Sequence, residues 1–396
     1  MRLCILTREF PPVTRYTGGI GTQYAILAAE LARQGHDVHV VTVAPDASGG
    51  DRSIEGIELH LLSAGVVAHL RPVADIGWSL AVDRALRKLG SFDVVYAAEW
   101  GADAWRYAHH RGSGALVTNL TSSYVLMLEA SGRTRSLRGR LGLAVQGSLE
   151  RAQAERSDAI VACSQAILER LRVHWDIGGI RSAVLPNTLD VARTRALAAT
   201  GDLPRGFPTG GPVVAFSGRL EVRKGVHELV AAMLEVWESR PEVNLVLLGG
   251  EGRARRGGMS RRLRELAGKH ADRLYLLGHQ PPERLFPAIA AADVVALPSR
   301  WEPFGIAALE AMALGSPLIL TSGSGFEEFF ERERDGLMVP PREPGSLAHA
   351  IGRLLDDPSL CRRLGPAAAA TAELYDAPAV TRQHVDFFER LASGAT

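Results

Sequence analysis

The stretch Val213-Val214-Ala215-Phe216-Ser217-Gly218-Arg219-Leu220-Glu221-Val222-Arg223-Lys224-Gly225 decides the fold. Its first five residues are apolar or small with no polar alternation, the pattern of a strand buried on both faces. A glycine ends the run, and residues 224–238 then carry apolar side chains at helical spacing. Strand, glycine turn and helix in that order open a parallel α/β sheet. The alternation continues downstream. Strands are expected at 243–248, 274–277, 294–297, 317–321 and 337–339, helices at 260–271, 283–291 and 346–355, and a last amphipathic helix at 377–391.

Upstream the chain reads the same way. Strands are expected at 3–7, 37–43, 57–62, 93–97, 115–120, 159–163 and 182–185, with helices at 21–34, 78–89, 102–111, 142–156 and 164–173. Between the halves, GDLPRGFPTGGP at 201–212 is rich in Gly and Pro and reads as a linker. The expected organisation is an N-terminal domain at 1–195, a connecting segment at 196–212 and a second domain at 213–375. A terminal helix at 376–396 is free to pack back on the first domain. The fold class is α/β: two doubly wound, Rossmann-like domains facing a central cleft, with ligands beyond the carboxyl ends of the strands.

Composition narrows the function classes. The 396 residues carry a net charge of +1 and are 46% hydrophobic, enough for two sizeable cores and with no global pull toward nucleic acid or an anionic membrane. Cys4, Cys163 and Cys361 are scattered and odd in number, which reads as reduced core thiols of a cytoplasmic protein. No apolar run approaches the ~20 residues of a membrane span. Lysine occurs only at 88, 224 and 269, so Lys224 beside a glycine turn draws notice.

Arg219 and Lys224 flank one strand end, and two fixed cations there can neutralise a diphosphate without a metal; a solvated basic turn is the plain alternative. The sequence has no Asp-x-Asp pair to hold a divalent cation, so no metal and no cofactor are expected. Near residue 300 the chain reads Ser299-Arg300-Trp301-Glu302-Pro303-Phe304-Gly305-Ile306-Ala307-Ala308-Leu309-Glu310. Pro303 holds Glu302 in a loop, Gly305 permits close backbone approach, and Glu310 falls inside the following helix. Eight helical residues would separate the glutamates by about 12 Å, with the N–H groups of a helix start between them. That layout suits an elongated anionic ligand with hydroxyls at both ends.

Thr17-Gly18-Gly19-Ile20-Gly21 after the first strand lacks the G-x-G-x-x-G spacing of a dinucleotide fingerprint. It reads as a phosphate-facing loop or as a structural turn. Leu248-Gly249-Gly250-Glu251-Gly252 and Gly278-His279 end two later strands, where they can pack against a nucleotide. Pro186-Asn187-Thr188-Leu189-Asp190 reads as a capped turn at the domain crossing. The arginine-rich stretch 133–140 reads as a solvated face, with a phosphorylated acceptor or a membrane surface as the sharper alternative.

Together these motifs resemble the retaining glycosyltransferases of family 4, which have the GT-B fold, and the resemblance spans nearly the whole chain. It implies a hexosyltransferase using a nucleoside diphosphate sugar, with uridine the commoner base, and a hydroxyl-bearing small molecule, glycan or lipid-linked acceptor. It implies that Arg219 and Lys224 bind the phosphates and Glu302 the transferred sugar, these three being the catalytic candidates. The other donor-side residues are Gly18, Gly19, Gly218, Gly250, His279, Phe304, Gly305, Ile306 and Glu310, with Glu310 on the ribose. Tyr16, Glu99, Thr121 and Tyr124 are the acceptor-side candidates. One departure stands out: many members carry a histidine where this chain has Thr121, and threonine cannot act as a base near neutral pH. A non-catalytic nucleotide-sugar-binding protein of the same fold is therefore the alternative.

Overall fold

The computed structural model describes residues 1–11, 13–14, 18–44, 49–63, 73–110, 112, 114–131, 137–251 and 258–394, with backbone alone at 73, 130–131 and 137–141. The chain divides into two compact units, Met1–Thr188 with Ala377–Thr396, and Leu189–Asp376.

Among the described residues the first unit holds eight strands: β1 Arg2–Leu6, β2 Asp37–Val43, β3 Gly50–Ile54, β4 Ile57–Leu62, β5 Val94–Ala98, β6 Ala115–Leu120, β7 Ala159–Ala162 and β8 Arg181–Val184. Their order is β3-β4-β2-β1-β5-β6-β7-β8, parallel except for the antiparallel pair β3–β4. β3 is missing from the sequence reading because Gly-Asp-Arg-Ser-Ile is polar and exposed, an edge strand with no apolar face. Glu55 and Gly56, at φ +52° and +80°, close it onto β4 as a two-residue hairpin.

The core on one side of this sheet joins Tyr24, Leu27 and Leu31 of helix Gly19–Arg33 to Ile5, Val40 and Tyr96 of the strands, and to Phe387 and Phe388. The last two come from helix Ala377–Ala392, which packs on helix Gly19–Arg33. Burying one such aromatic side chain contributes about 1.5–3 kcal/mol. This contact is why the C-terminal residues group with the first unit.

The second unit holds β9 Val213–Ser217, β10 Asn244–Leu248, β11 Leu274–Gly278, β12 Val294–Leu297, β13 Leu318–Thr321 and β14 Leu337–Val339, all parallel, in the order β11-β10-β9-β12-β13-β14. In each sheet the winding reverses once, between β1 and β5 in the first and between β9 and β12 in the second.

The unit boundary differs from the sequence expectation of 195 and a linker at 196–212. Residues 191–200 form a helix capped by Asp190, whose carboxylate accepts from Arg193 N at 2.9 Å. This helix packs on helices Pro282–Ala290 and Ile306–Ala313, and Arg195 donates to the carbonyl of Ala313. Its apolar face is thus spent on the second unit. Cys4 and Cys163 are buried, whereas Cys361 is partly exposed, with its thiol donating to Leu354 O at 3.2 Å. Among the described residues, no helix is long and apolar enough to cross a membrane.

Candidate functional site at the second unit's switch point

Open parallel sheets bind ligands beyond the strand ends where the winding reverses. In the second unit that point lies between β9 and β12, paired through Val214–Val294 and Ala215–Val295. The loop after β9 brings Gly218 to Gly225, and the loop after β12 brings Ser299 to Gly305. Two segments about 80 residues apart in sequence therefore meet because their strands are neighbours. Gly225, at φ +71°, lies so close to Pro298 O that a Cβ would sit 1.8 Å from it. Only glycine lets the two loops touch there.

The contact centres on Glu302. Three donors converge on its Oε2: Lys224 Nζ at 2.6 Å, Ser299 Oγ at 3.1 Å and Arg223 Nη1 at 3.4 Å. Oε1 accepts nothing from the described residues. Burial alone would raise the pKa of Glu302, but Lys224 and Arg223 outweigh it and hold the carboxyl at about 2. Burial in turn lowers the Lys224 ammonium below the ordinary lysine range, against the pull of Glu302. Arg223 also donates to Glu221 Oε1 at 2.9 Å and to Trp301 O at 3.3 Å, and its side chain is 5% exposed. Arg219 is the outermost cation of the loop, 47% exposed and 3.9 Å from Glu221.

Beyond Glu302 the chain turns at Gly305, whose φ is +107° and where a Cβ would stand 2.2 Å from the Phe326 ring. Helix Ile306–Ala313 starts there, and no side chain caps its N-terminus. Its first N–H groups are available to an anion. Phe304 is buried against Phe329, ring centroids 4.8 Å apart. Glu310 lies on this helix, partly buried, and its carboxyl makes no hydrogen bond to a described residue. Burial pushes its carboxyl up to about 7, with Lys224 pulling the other way. The expected 12 Å of helix between the glutamates needs correcting. The helix begins only at Ile306, so about 6 Å of helical rise separates Ile306 from Glu310 and the rest is loop.

The remaining donor-side residues surround the same strand ends. Gly218 N donates to Leu248 O, and Leu220 N to Gly250 O, both at 3.0 Å, which lays the β9 loop along the β10 loop. His279 follows β11, is exposed, and neighbours Gly250. The structure thus brings Arg219, Lys224, Glu302, Phe304, Gly305, Ile306 and Glu310 around one switch point, with Gly218, Gly250 and His279 along the adjoining strand ends. Sequence reasoning missed Arg223 and Ser299. The Arg-Lys doublet signalled a basic turn, but nothing in it told which cation faces inward.

The first unit's candidates divide differently. Gly18 precedes helix Gly19–Arg33, but its N–H already donates to Glu9 Oε2 at 2.6 Å, so it is not aimed at a ligand phosphate. A carboxylate serves a helix N-terminus as well as a phosphate does, and Glu9 lay too far away in sequence to be suspected. Glu99 follows β5 at the first sheet's reversal point, yet it is fully buried and lines no surface. Its carboxylate accepts from Thr121 N, Thr121 Oγ1 and Ser122 N at 2.7–3.0 Å, which ties down the loop after β6. Thr121 is partly buried. Tyr124 stacks on Trp100, ring centroids 4.3 Å apart and planes 2° from parallel, and its N–H donates to buried Glu150. Tyr16 and the side chains of 133–140 lie outside the described residues.

Known proteins resemble this chain along its length. The family profile described as Glycosyltransferase Family 4 matches residues 17–193, and that of Glycosyl transferases group 1 matches residues 204–371. Glycogen synthase of Mycobacterium tuberculosis (strain H37Rv) is 30% identical over 393 residues, covering 93% of this chain and 89% of the relative. D-inositol 3-phosphate glycosyltransferase of Acidothermus cellulolyticus is 30% identical over 375 residues, covering 90% and 82%. Among solved structures, sucrose-phosphate synthase from Thermosynechococcus elongatus superposes with a TM-score of 0.82 at 24% identity over the full length of both chains. HepE of Anabaena, in complex with UDP and glucose, gives 0.73 at 19% identity over 98% of this chain and 99% of that one. The chain belongs to glycosyltransferase family 4, the glycosyl transferases group 1, and has the GT-B fold.

Proposed function

We propose that this glycosyltransferase moves a hexose from a nucleoside diphosphate sugar, UDP-sugar first, to a hydroxyl of a small-molecule, glycan or lipid-linked acceptor, with retention and without a metal. The observation that carries the reading is the division of labour on Glu302. Oε2 is fixed by three donors, while Oε1 is left to accept hydroxyls of the sugar. Beside it stand Lys224, the half-exposed Arg219 and an uncapped helix start, a set of positive groups suited to a diphosphate. Glu310, further along the helix, takes the ribose hydroxyls. UDP as the nucleotide is supported by the complex of HepE.

The sugar C1–O bond to the β-phosphate breaks, and charge gathers on the leaving diphosphate. Arg219, Lys224 and the N–H groups of Ile306 and Ala307 stabilise that charge. One preorganised donor of this kind contributes about 3 kcal/mol to a transition state. Glu302, held through Oε2 beside two cations, is a poor nucleophile. The acceptor oxygen therefore attacks C1 from the face the diphosphate leaves, and its proton passes to the departing phosphate oxygen. Configuration at C1 is retained.

The test is incubation with UDP-glucose and other nucleoside diphosphate hexoses, with and without a chelator, following nucleotide release and the anomeric configuration of the product by NMR. Retained configuration and release indifferent to the chelator are expected; inversion or loss of release on chelation overturns the assignment. Thr121 keeps one rival in play, because its hydroxyl donates to Glu99 and cannot serve as a base. A non-catalytic binding protein would bind the nucleotide sugar and release nothing with any acceptor.

A further inference from the structure

Arg223 is an odd residue to find where it is. Its guanidinium is buried, it sits next in sequence to the lysine assigned to the diphosphate, and it does not itself reach the ligand side of the loop. Nη1 lies 3.4 Å from Glu302 Oε2 and 3.3 Å from Trp301 O, and Nη2 lies 2.9 Å from Glu221. Nε is buried and meets no acceptor among the described residues. A buried donor left unmet is costly, and such exceptions call for a reason.

The reason is supplied by what Lys224 must do, and the inference rests on the donor reading of this site. The ammonium of Lys224 lies 2.6 Å from Glu302 Oε2. A bound diphosphate carries more negative charge than Glu302 and draws the ammonium toward itself. Glu302 would then be a buried carboxylate that has lost most of its nearest cation, a state that is strongly unfavourable. It would take up a proton or swing away, and either change spoils the Oε1 that receives the sugar.

We propose that Arg223 is a positioning residue, a reserve cation that keeps Glu302 ionised and anchored through Oε2 when Lys224 turns to the donor diphosphate. Its backing by Glu221 and Trp301 O fixes the guanidinium behind Glu302, so it stays when the lysine moves. The other charged groups near Glu302 are Arg219 on the same loop, Glu310 on helix Ile306–Ala313, and the Arg300–Glu228 pair joined at 2.7 Å. None of them is hydrogen-bonded to Glu302.

The test reads the Glu302 carboxyl directly by 13C NMR in glutamate-labelled protein, with Glu302→Gln to assign the signal and UDP as the probe. In the wild type the carboxyl stays ionised from pH 4 to 8 with and without UDP. In Arg223→Met it stays ionised without UDP, but with UDP bound its midpoint climbs into that window. Removing an opposite charge within ~4–6 Å moves a carboxyl by about 1–3 pH units. Arg223→Lys, which restores charge but not shape, brings the midpoint back down. An Arg223→Met chain whose Glu302 titrates alike with and without UDP overturns the inference, as does one rescued no better by lysine than by methionine.

If Arg223→Met fails to fold, Lys224→Met carries the same question. Arg223 alone must then keep Glu302 ionised at pH 7, and a protonated Glu302 there overturns the role. A wild-type chain that binds no nucleoside diphosphate overturns the donor reading and this inference together. A wild type that binds UDP while the variants behave as wild type overturns only the role of Arg223.

Discussion

Lys224→Met removes the closest partner of Glu302 without adding bulk, and its cost can be worked from the site. Glu302 is held at about 2 against an ordinary value of 4.5. The difference corresponds to about 3 kcal/mol, at ~1.36 kcal/mol per pH unit. A depressed carboxyl contributes stability that is fully present above its unfolded value and is lost as pH falls through its folded one. The contribution is therefore complete from neutral pH down to about 4.5 and drains away toward 2. Arg223 and Ser299 remain in the variant, so part of the depression survives and the loss at pH 7 is about 2 kcal/mol. For a unit of this size that is a drop of about 4–8 °C in the melting transition. The assay is differential scanning calorimetry of both chains at pH 7, 5 and 3.5. The gap should be equal at pH 7 and 5 and smaller at pH 3.5. A gap under about 1 °C at pH 7, or one constant down to pH 3.5, would refute the argument that Lys224 sustains the ionised Glu302.

Other expectations follow from the same geometry. Glu310 is raised by burial to about 7, and in the proposed site its ionised form accepts the ribose hydroxyls, so UDP affinity should rise with pH from 5.5 through 7 and level off near 8; Glu310→Gln should be weaker at pH 8 and flat with pH by calorimetric titration. Gly305→Ala places a Cβ against the Phe326 ring at a φ of +107°, and should lower stability by about 1–3 kcal/mol and abolish turnover; an unchanged denaturation midpoint would contradict it. Glu150 is pushed up to about 8 by burial and by neighbouring Glu99, so its ionisation opposes folding. A raised carboxyl loses stability as pH climbs from its unfolded value to its folded one. Glu150→Gln should therefore gain on the wild type in melting temperature between pH 5 and 8, and a gap that does not widen would count against it.

Much of this was legible in the chain because buried parallel strands leave continuous apolar runs, and the glycine turns at their carboxyl ends mark where ligands bind. The loops carrying Arg219, Lys224 and Glu302 and the helix carrying Glu310 could be named from sequence, and β9 and β12 being neighbours brings them together. What sequence hides is direction and partnership. Arg219 and Arg223 are the same residue type four positions apart, one half-exposed and one buried behind Glu302. Glu99 has the position of a pocket residue and the environment of a core one, because the loop after β6 folds its N–H groups onto the carboxylate. Gly18 looked free until Glu9 was seen to occupy it. The Gly- and Pro-rich segment at 201–212 looked like the boundary, but the helix before it spends its apolar face on the second unit.

In the proposed function the β9–β12 switch point holds a nucleoside diphosphate through Arg219 and Lys224. Its most direct measurement is the melting transition of the wild type, Arg219→Ala and Lys224→Met with a panel of nucleoside diphosphates. At a hundred times its dissociation constant a ligand adds about 2.7 kcal/mol, a rise of about 5–10 °C here. A rise of that size with UDP or another member of the panel, largely lost in both variants at the same concentration, is the expected result. No rise with any nucleotide, or a rise that both variants share in full, contradicts the account.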